Sequence, residues 1–245
     1  MKRSVSAIYR IFTGIGIFSI AMGVLEAIVV VYLRQVYYPG GFNFPLKFLT
    51  PEMMYVEWTR EIATIVMLAT LGIIAGKDNL SRFLYFLFSF AVWDIIYYIA
   101  LKILLDWPAT LFTWDILFLI PVPWISPVLA PVICSAAMIF MAIIFMYYKE
   151  VARGFKIGIT EWIIMLAGVI LVLLSFIQDH LILIIQSNFN LNENSGFWKA
   201  AAQFVPDKFN WLLFGAGMVL ILTSILATVY SCRRKNRQIQ LKYHF

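Results

Sequence analysis

The sequence predicts an all-α integral membrane protein with six transmembrane helices and both termini cytoplasmic. A short proline-terminated helix, re-entrant or interfacial, is expected on the outer side. Three observations carry this. First, 62% of the 245 residues are hydrophobic and 13% charged, with a mean hydropathy of +0.87; soluble domains average roughly 45–50% apolar residues and need more polar surface than this chain can supply. Second, the apolar residues come in runs of the length that crosses a hydrocarbon core of about 30 Å. Third, the basic residues concentrate at alternate connections, as the positive-inside rule requires. The chain reads as a single polytopic domain over 1–245 without a soluble module.

The first span is expected over 11–33. MKRSVSAIYR precedes it with no small-residue cleavage site behind, so it reads as an uncleaved span rather than a signal peptide. Gly14, Gly16, Ala21 and Gly23 offer a small-residue face for a neighbouring helix; Glu26 lies in the outer half and Arg34 closes the span. The aromatic, Gly- and Pro-bearing loop that follows suits an interfacial cap. Thr50-Pro51-Glu52 is a helix start, with a capping hydroxyl, proline in the first turn and an early acid, and the second span is placed at 55–75. Glu57 and Glu61, four apart, share one of its faces, with Arg60 beside them.

The third span, 83–104, and the stretch after it hold two similar decamers, FAVWDIIYYI (Phe90 to Ile99) and LFTWDILFLI (Leu111 to Ile120). Each sets a Trp-Asp pair in an apolar run, placing Asp94 near mid-span and Asp115 on the short piece 108–120. About 13 residues of helix cover roughly 20 Å, too little to cross, and Pro121, Pro123, Pro127 and Pro131 close the piece off. Broken hydrophobic segments are tolerated where they line a protein-walled cavity. The remaining spans are expected at 127–148, 161–184 and 210–230, with Gln178-Asp179-His180 near the far end of the fifth, a polar loop after it, and a basic tail over 231–245.

With six crossings, one face collects Lys2, Arg3, Arg10, Lys77, Arg82, Lys149, Arg153, Lys156, Arg233, Arg234, Lys235, Arg237 and Lys242, thirteen of the 19 basic residues. A seventh crossing at 108–120 would send the RRKNR tail outside and break the rule. The acids run the other way: of 13, only Asp78, Glu150 and Glu161 are cytoplasmic. Glu26, Glu57, Glu61, Asp94, Asp115 and Asp179 fall at mid-depth or in the outer half, brought there by five separate segments.

An unpaired carboxylate in hydrocarbon costs about 2.5–3.5 kcal/mol on insertion scales, so such a band persists only if paired, protonated, cation-bound or wetted. The expected site is therefore a carboxylate-rich outer-half pocket built from Glu26, Glu61, Asp94, Asp115, Asp179 and His180, with Arg34, Glu57, Arg60 and Lys102 as supporting charges. It would bind a cation, a proton or a small polar or lipid-like solute, as a carrier or a membrane-embedded enzyme. The alternative is a structural ion-pair network in an accessory subunit of a larger membrane complex.

No cofactor is specified. There is no HxxxH, HExxH or His-Cys cluster, and a single intramembrane histidine is too few for a bis-histidine haem. A metal, if held by Glu26, Glu61, Asp94 and Asp115, would be a hard divalent cation. No GxSxG elbow marks a nucleophile, which leaves enzymatic activity open. Cys134 and Cys232 suggest neither a disulfide framework nor a redox pair. Expected partners are the bilayer and other membrane proteins or further copies of the chain, not nucleic acid. Short loops and the absence of sorting motifs point to a bacterial inner membrane.

Overall fold

A computed structural model describes residues 2–45, 47, 50–152, 155–186 and 204–242. The described residues contain six helices long and apolar enough to cross a membrane. They are α1 (Lys2–Tyr37), α2 (Pro51–Ala75), α3 (Asn79–Leu105), α4 (Leu129–Val151), α5 (Ile159–Gln186) and α6 (Trp211–Lys242). Several run past their expected ends: α1 is helical well before residue 11, and the basic tail continues α6 as far as Lys242. Arg153 and residues 187–203 of the polar loop expected over 186–208 lie outside the described residues.

Local chemistry sets the ends. The Thr50 hydroxyl accepts from Met53 N–H at 3.4 Å, and Pro51 occupies the first turn of α2. Asp78 caps α3, accepting from Ser81 N–H at 3.2 Å, and pairs with Lys149 of α4. The Lys149 ammonium holds the Asp78 carboxyl below the ordinary carboxylate range. Asp106 ends α3 in the left-handed region at φ 52°.

Helix α3 is the hub, with α1, α2 and α4 packed against it; α5 pairs with α6, and this pair joins the rest where α6 meets α4 and α5 meets the segment 124–127. Ile15 and Ile225 share one apolar cluster with Leu84, Tyr85, Met141, Phe145 and Met165. The N-terminal half of α1 and the middle of α6 therefore lie at one level of the bundle, and both chain ends run on from there to the same end. Close approach occurs where glycine allows it. A Cβ on Gly23 would lie 2.7 Å from the Trp93 carbonyl oxygen of α3, and one on Gly168 would lie 2.7 Å from the Gly217 carbonyl oxygen of α6. Of the other small-residue positions, Gly14 and Gly215 meet no described atom within 4 Å, and Gly16 only brushes Phe88 at 3.9 Å. The small-residue face of α1 thus reduces to Gly23.

The short piece over 108–120 is not a helix. It enters a two-stranded antiparallel hairpin, β1 (Trp114–Phe118) and β2 (Trp124–Pro127), pairing Trp114 with Pro127, Asp115 with Ser126, Ile116 with Ile125 and Phe118 with Trp124 across a bulge. The reason lies in backbone hydrogen bonding. Pro121, Pro123 and Pro127 remove three N–H donors from seven residues, and each disfavours helical geometry in its predecessor. A two-stranded ribbon needs fewer of those donors, and at its edges proline is harmless. The backbone at its base is closed by Val128 N–H to Thr113 O at 3.0 Å and Leu129 N–H to Leu111 O at 2.8 Å. Ile125, Ser126 and Asp115 are buried, so the ribbon is tucked into protein rather than laid on its surface. Irregular backbone is tolerated at membrane depth only in such a setting.

Candidate functional site

At the hairpin end the helices part around a cavity of about 310 Å³. Its walls are largely apolar and aromatic, and five carboxylates, Glu26, Glu57, Glu61, Asp94 and Asp115, are set into them together with Arg34, Arg60 and His180. Helical periodicity delivers these groups. Glu57, Glu61 and Thr64 recur at one-turn spacing on α2, and Asp94, Tyr97 and Tyr98 do so on α3. Asp115 comes from β1, which the proline-rich turn folds back against the helices.

Three of the carboxylates are paired with arginine, two of them sharing one guanidinium. Arg60 pairs with Glu26 across α1 and α2, and with Glu57 of its own helix at 2.9 Å. Thr64 donates to the second oxygen of Glu26 at 3.2 Å. Arg34 reaches Asp115 at 3.4 Å while Tyr98 donates to the other oxygen at 3.2 Å. The Arg34 guanidinium is also stacked, 3.7 Å from the Trp107 ring centroid and 4.7 Å from that of Phe42.

The other two are held without a cation. Glu61 accepts from the Leu119 N–H with both oxygens, at 2.9 and 3.1 Å, so it tethers α2 to the hairpin. Asp94 accepts from the Ser135 hydroxyl at 2.7 Å, joining α3 to α4. Among the described residues, no lysine or arginine lies within ion-pair distance of either. No three His, Cys, Asp or Glu side chains among the described residues converge as a metal-holding group.

Of the residues singled out from sequence, Glu26, Arg34, Glu57, Arg60, Glu61, Asp94, Asp115 and His180 all line the cavity, whereas Asp179 and Lys102 are not on its wall. Lys102 instead pairs with Asp106 at 2.7 Å and donates to the Pro108 carbonyl at 3.1 Å at the end of α3. Asp179 follows Gln178, which accepts from Asn210 at 3.1 Å away from the wall. Sequence reasoning missed Thr64, Tyr97, Tyr98 and Ser135. The two tyrosines carried a usable signal, since they stand three and four residues after Asp94 and so share its face. Ser135 carried none, because only the packing of α4 on α3 brings it to Asp94.

Compared with known protein families, with curated proteins and with solved structures, the chain matches none.

Proposed function

We propose that this multi-pass membrane protein is a carrier-type binder of a small positively charged solute, or of a proton, in a carboxylate-lined cavity of the outer half of the bilayer. The observation that carries the reading is the inequality among the five carboxylates. Glu26, Glu57 and Asp115 are committed to Arg60 and Arg34. Asp94 and Glu61 face the same cavity with only neutral donors. Two acids at membrane depth with no lysine or arginine in ion-pair contact among the described residues are stabilised by a proton or by an external cation. The arginine-paired acids then form a fixed frame, and the exchangeable charge belongs to Asp94 and Glu61.

The test is thermal unfolding of the purified protein in nanodiscs, with sodium, magnesium, calcium, manganese and octylamine hydrochloride titrated separately. A ligand of the folded state raises stability by about 2.7 kcal/mol at a hundred times its Kd. At least one cation should raise Tm saturably, and Asp94→Asn or Glu61→Gln should remove that rise. Identical responses of wild type and both variants to every cation would end the proposal.

A second reading is favoured by a specific observation: each of these carboxylates except Glu57 links two different elements. Glu26 links α1 to α2, Glu61 links α2 to the hairpin, Asp94 links α3 to α4, and Asp115 links the hairpin to α1 and α3. In this reading the acids lock the bundle of an accessory subunit of a larger membrane complex. Mild-detergent purification separates the two, because a stoichiometric co-purifying protein supports the subunit and a single monodisperse species opposes it.

A further inference from the structure

The geometry points to an amphiphile as the occupant of this cavity, with an ammonium and an adjacent hydroxyl at its head and an apolar body. This rests on the cation-binding reading above and narrows it by chemical class.

The second observation is independent of the acids. Trp93, Trp124 and His180 line the cavity. Trp93 Nε1, Trp124 Nε1 and His180 Nδ1 are buried, and none has a hydrogen-bond partner among the described residues. Trp93 is 6% exposed and His180 1%, so bulk water does not satisfy them. Buried polar nitrogens without partners are rare in folded proteins. The three side chains belong to the wall of one cavity, and the partners their nitrogens lack are what its occupant is inferred to supply.

An indole N–H only donates, so Trp93 and Trp124 call for an acceptor. A bare metal ion answers Asp94 and Glu61 but leaves both indoles unpaired. An anionic head would answer the indoles but meets five carboxylates against three cations, Arg34, Lys47 and Arg60. A hydroxyl accepts from an indole and can donate to an imidazole nitrogen, while an ammonium beside it answers the carboxylates.

The apolar requirement comes from an aromatic run that crosses the wall. Trp93 lies 6.4 Å from Phe118, Phe118 lies 5.4 Å from Trp124, and Trp124 stacks on Phe176 at 6.3 Å. Phe176 is one helical turn before His180, which puts the imidazole at the α5 end of that run. Aromatic faces hold both hydrocarbon and ammonium groups.

The test compares four probes on the full-length protein in nanodiscs: vicinal aminooctanol, octylamine, octanol and ethanolamine, followed by competition for a radiolabelled aminooctanol. Aminooctanol should bind about tenfold tighter than octylamine, the effect of one or two hydrogen bonds. Octanol, which lacks the charge, and ethanolamine, which lacks the body, should each bind at least a hundredfold more weakly. Trp93→Phe and Trp124→Phe keep an aromatic ring, though a smaller one, and remove the donors. They should erase the preference for aminooctanol over octylamine even where the smaller ring weakens both, a change in selectivity that a loss of packing alone would not produce.

Equal binding of octylamine and aminooctanol, sensitive to Asp94→Asn, would overturn the hydroxyl inference and leave the cation pocket standing. Ethanolamine binding as tightly as aminooctanol would overturn the amphiphile and assign the site to a water-borne amine. If no amine binds, this inference falls, and the sodium, magnesium, calcium and manganese titrations decide the cation pocket separately.

Discussion

Arg60 is the residue on which most of the cavity's charge balance depends. It pairs with Glu26 and Glu57 at once, so its removal leaves two carboxylates in a buried setting with no cation. Breaking a buried pair from one side costs about 3–5 kcal/mol, and Arg60→Ala should lose about that much stability in chemical unfolding. Adding Glu26→Gln to that variant should recover part of the loss, because Thr64 can still donate to the amide oxygen. Asp78 is the contrasting case at the opposite end of the bundle. Its carboxyl is held below the ordinary range by Lys149, so the charge contributes stability above the unfolded carboxylate pKa and loses it as pH falls through the depressed folded value. The side chain is 49% exposed, and solvent screening limits the effect to about 1 kcal/mol or less. Asp78→Asn keeps a capping acceptor, so it should lower Tm slightly at neutral pH. The difference from wild type should close below about pH 4, measured by unfolding in detergent across that range.

At the scale of elements, the α5–α6 crossing and the hairpin show two ways of spending backbone in a membrane protein. Gly168 and Gly217 bring the two helices together so closely that a methyl group has nowhere to go. Gly168→Ala should destabilise by about 1–3 kcal/mol through overpacking. Gly215→Ala, where no described atom lies within 4 Å, should be neutral or stabilising by up to about 1 kcal/mol through helix propensity. Thermal unfolding of the two variants side by side checks the contrast. The hairpin combines polar contacts with packing. Glu61 receives the Leu119 N–H, Tyr98 and Arg34 fix Asp115, and the paired strands satisfy one another. These contacts, together with the packing of Leu117, Phe118 and Trp124 on the helices, hold a non-helical segment against the cavity.

At the scale of the whole molecule, one end is closed and the other open. The Ile15–Leu84–Phe145–Ile225 cluster fills the end that carries both termini, and the hairpin end encloses the carboxylate cavity. Basic residues crowd the filled end, which the positive-inside rule assigns to the cytoplasm. In a background lacking Cys134 and Cys232, Thr110→Cys should react with an impermeant maleimide on intact cells. Lys77→Cys should react only after permeabilisation. The reverse pattern would invert the protein and place the cavity in the inner half.

The sequence by itself determined the solvent, the six crossings and the segments that bring acids to one depth, because hydrocarbon imposes lengths and costs that a single chain displays openly. It also identified most of the charged cavity wall, since Glu57 and Glu61 share a face by spacing alone and Glu26 had no local partner. Tertiary structure decided what spacing could not. It folded 108–120 into a hairpin, because three prolines remove donors whose replacements come from distant residues. It gave Arg60 to Glu26 and Arg34 to Asp115 while leaving Asp94 and Glu61 with neutral donors. It drew Ser135, Trp93 and Trp124 to the wall and kept Asp179 and Lys102 off it. Those assignments depend on which helix faces meet, and apolar helices in lipid reveal little of that from sequence, since lipid-facing and protein-facing surfaces are alike hydrophobic.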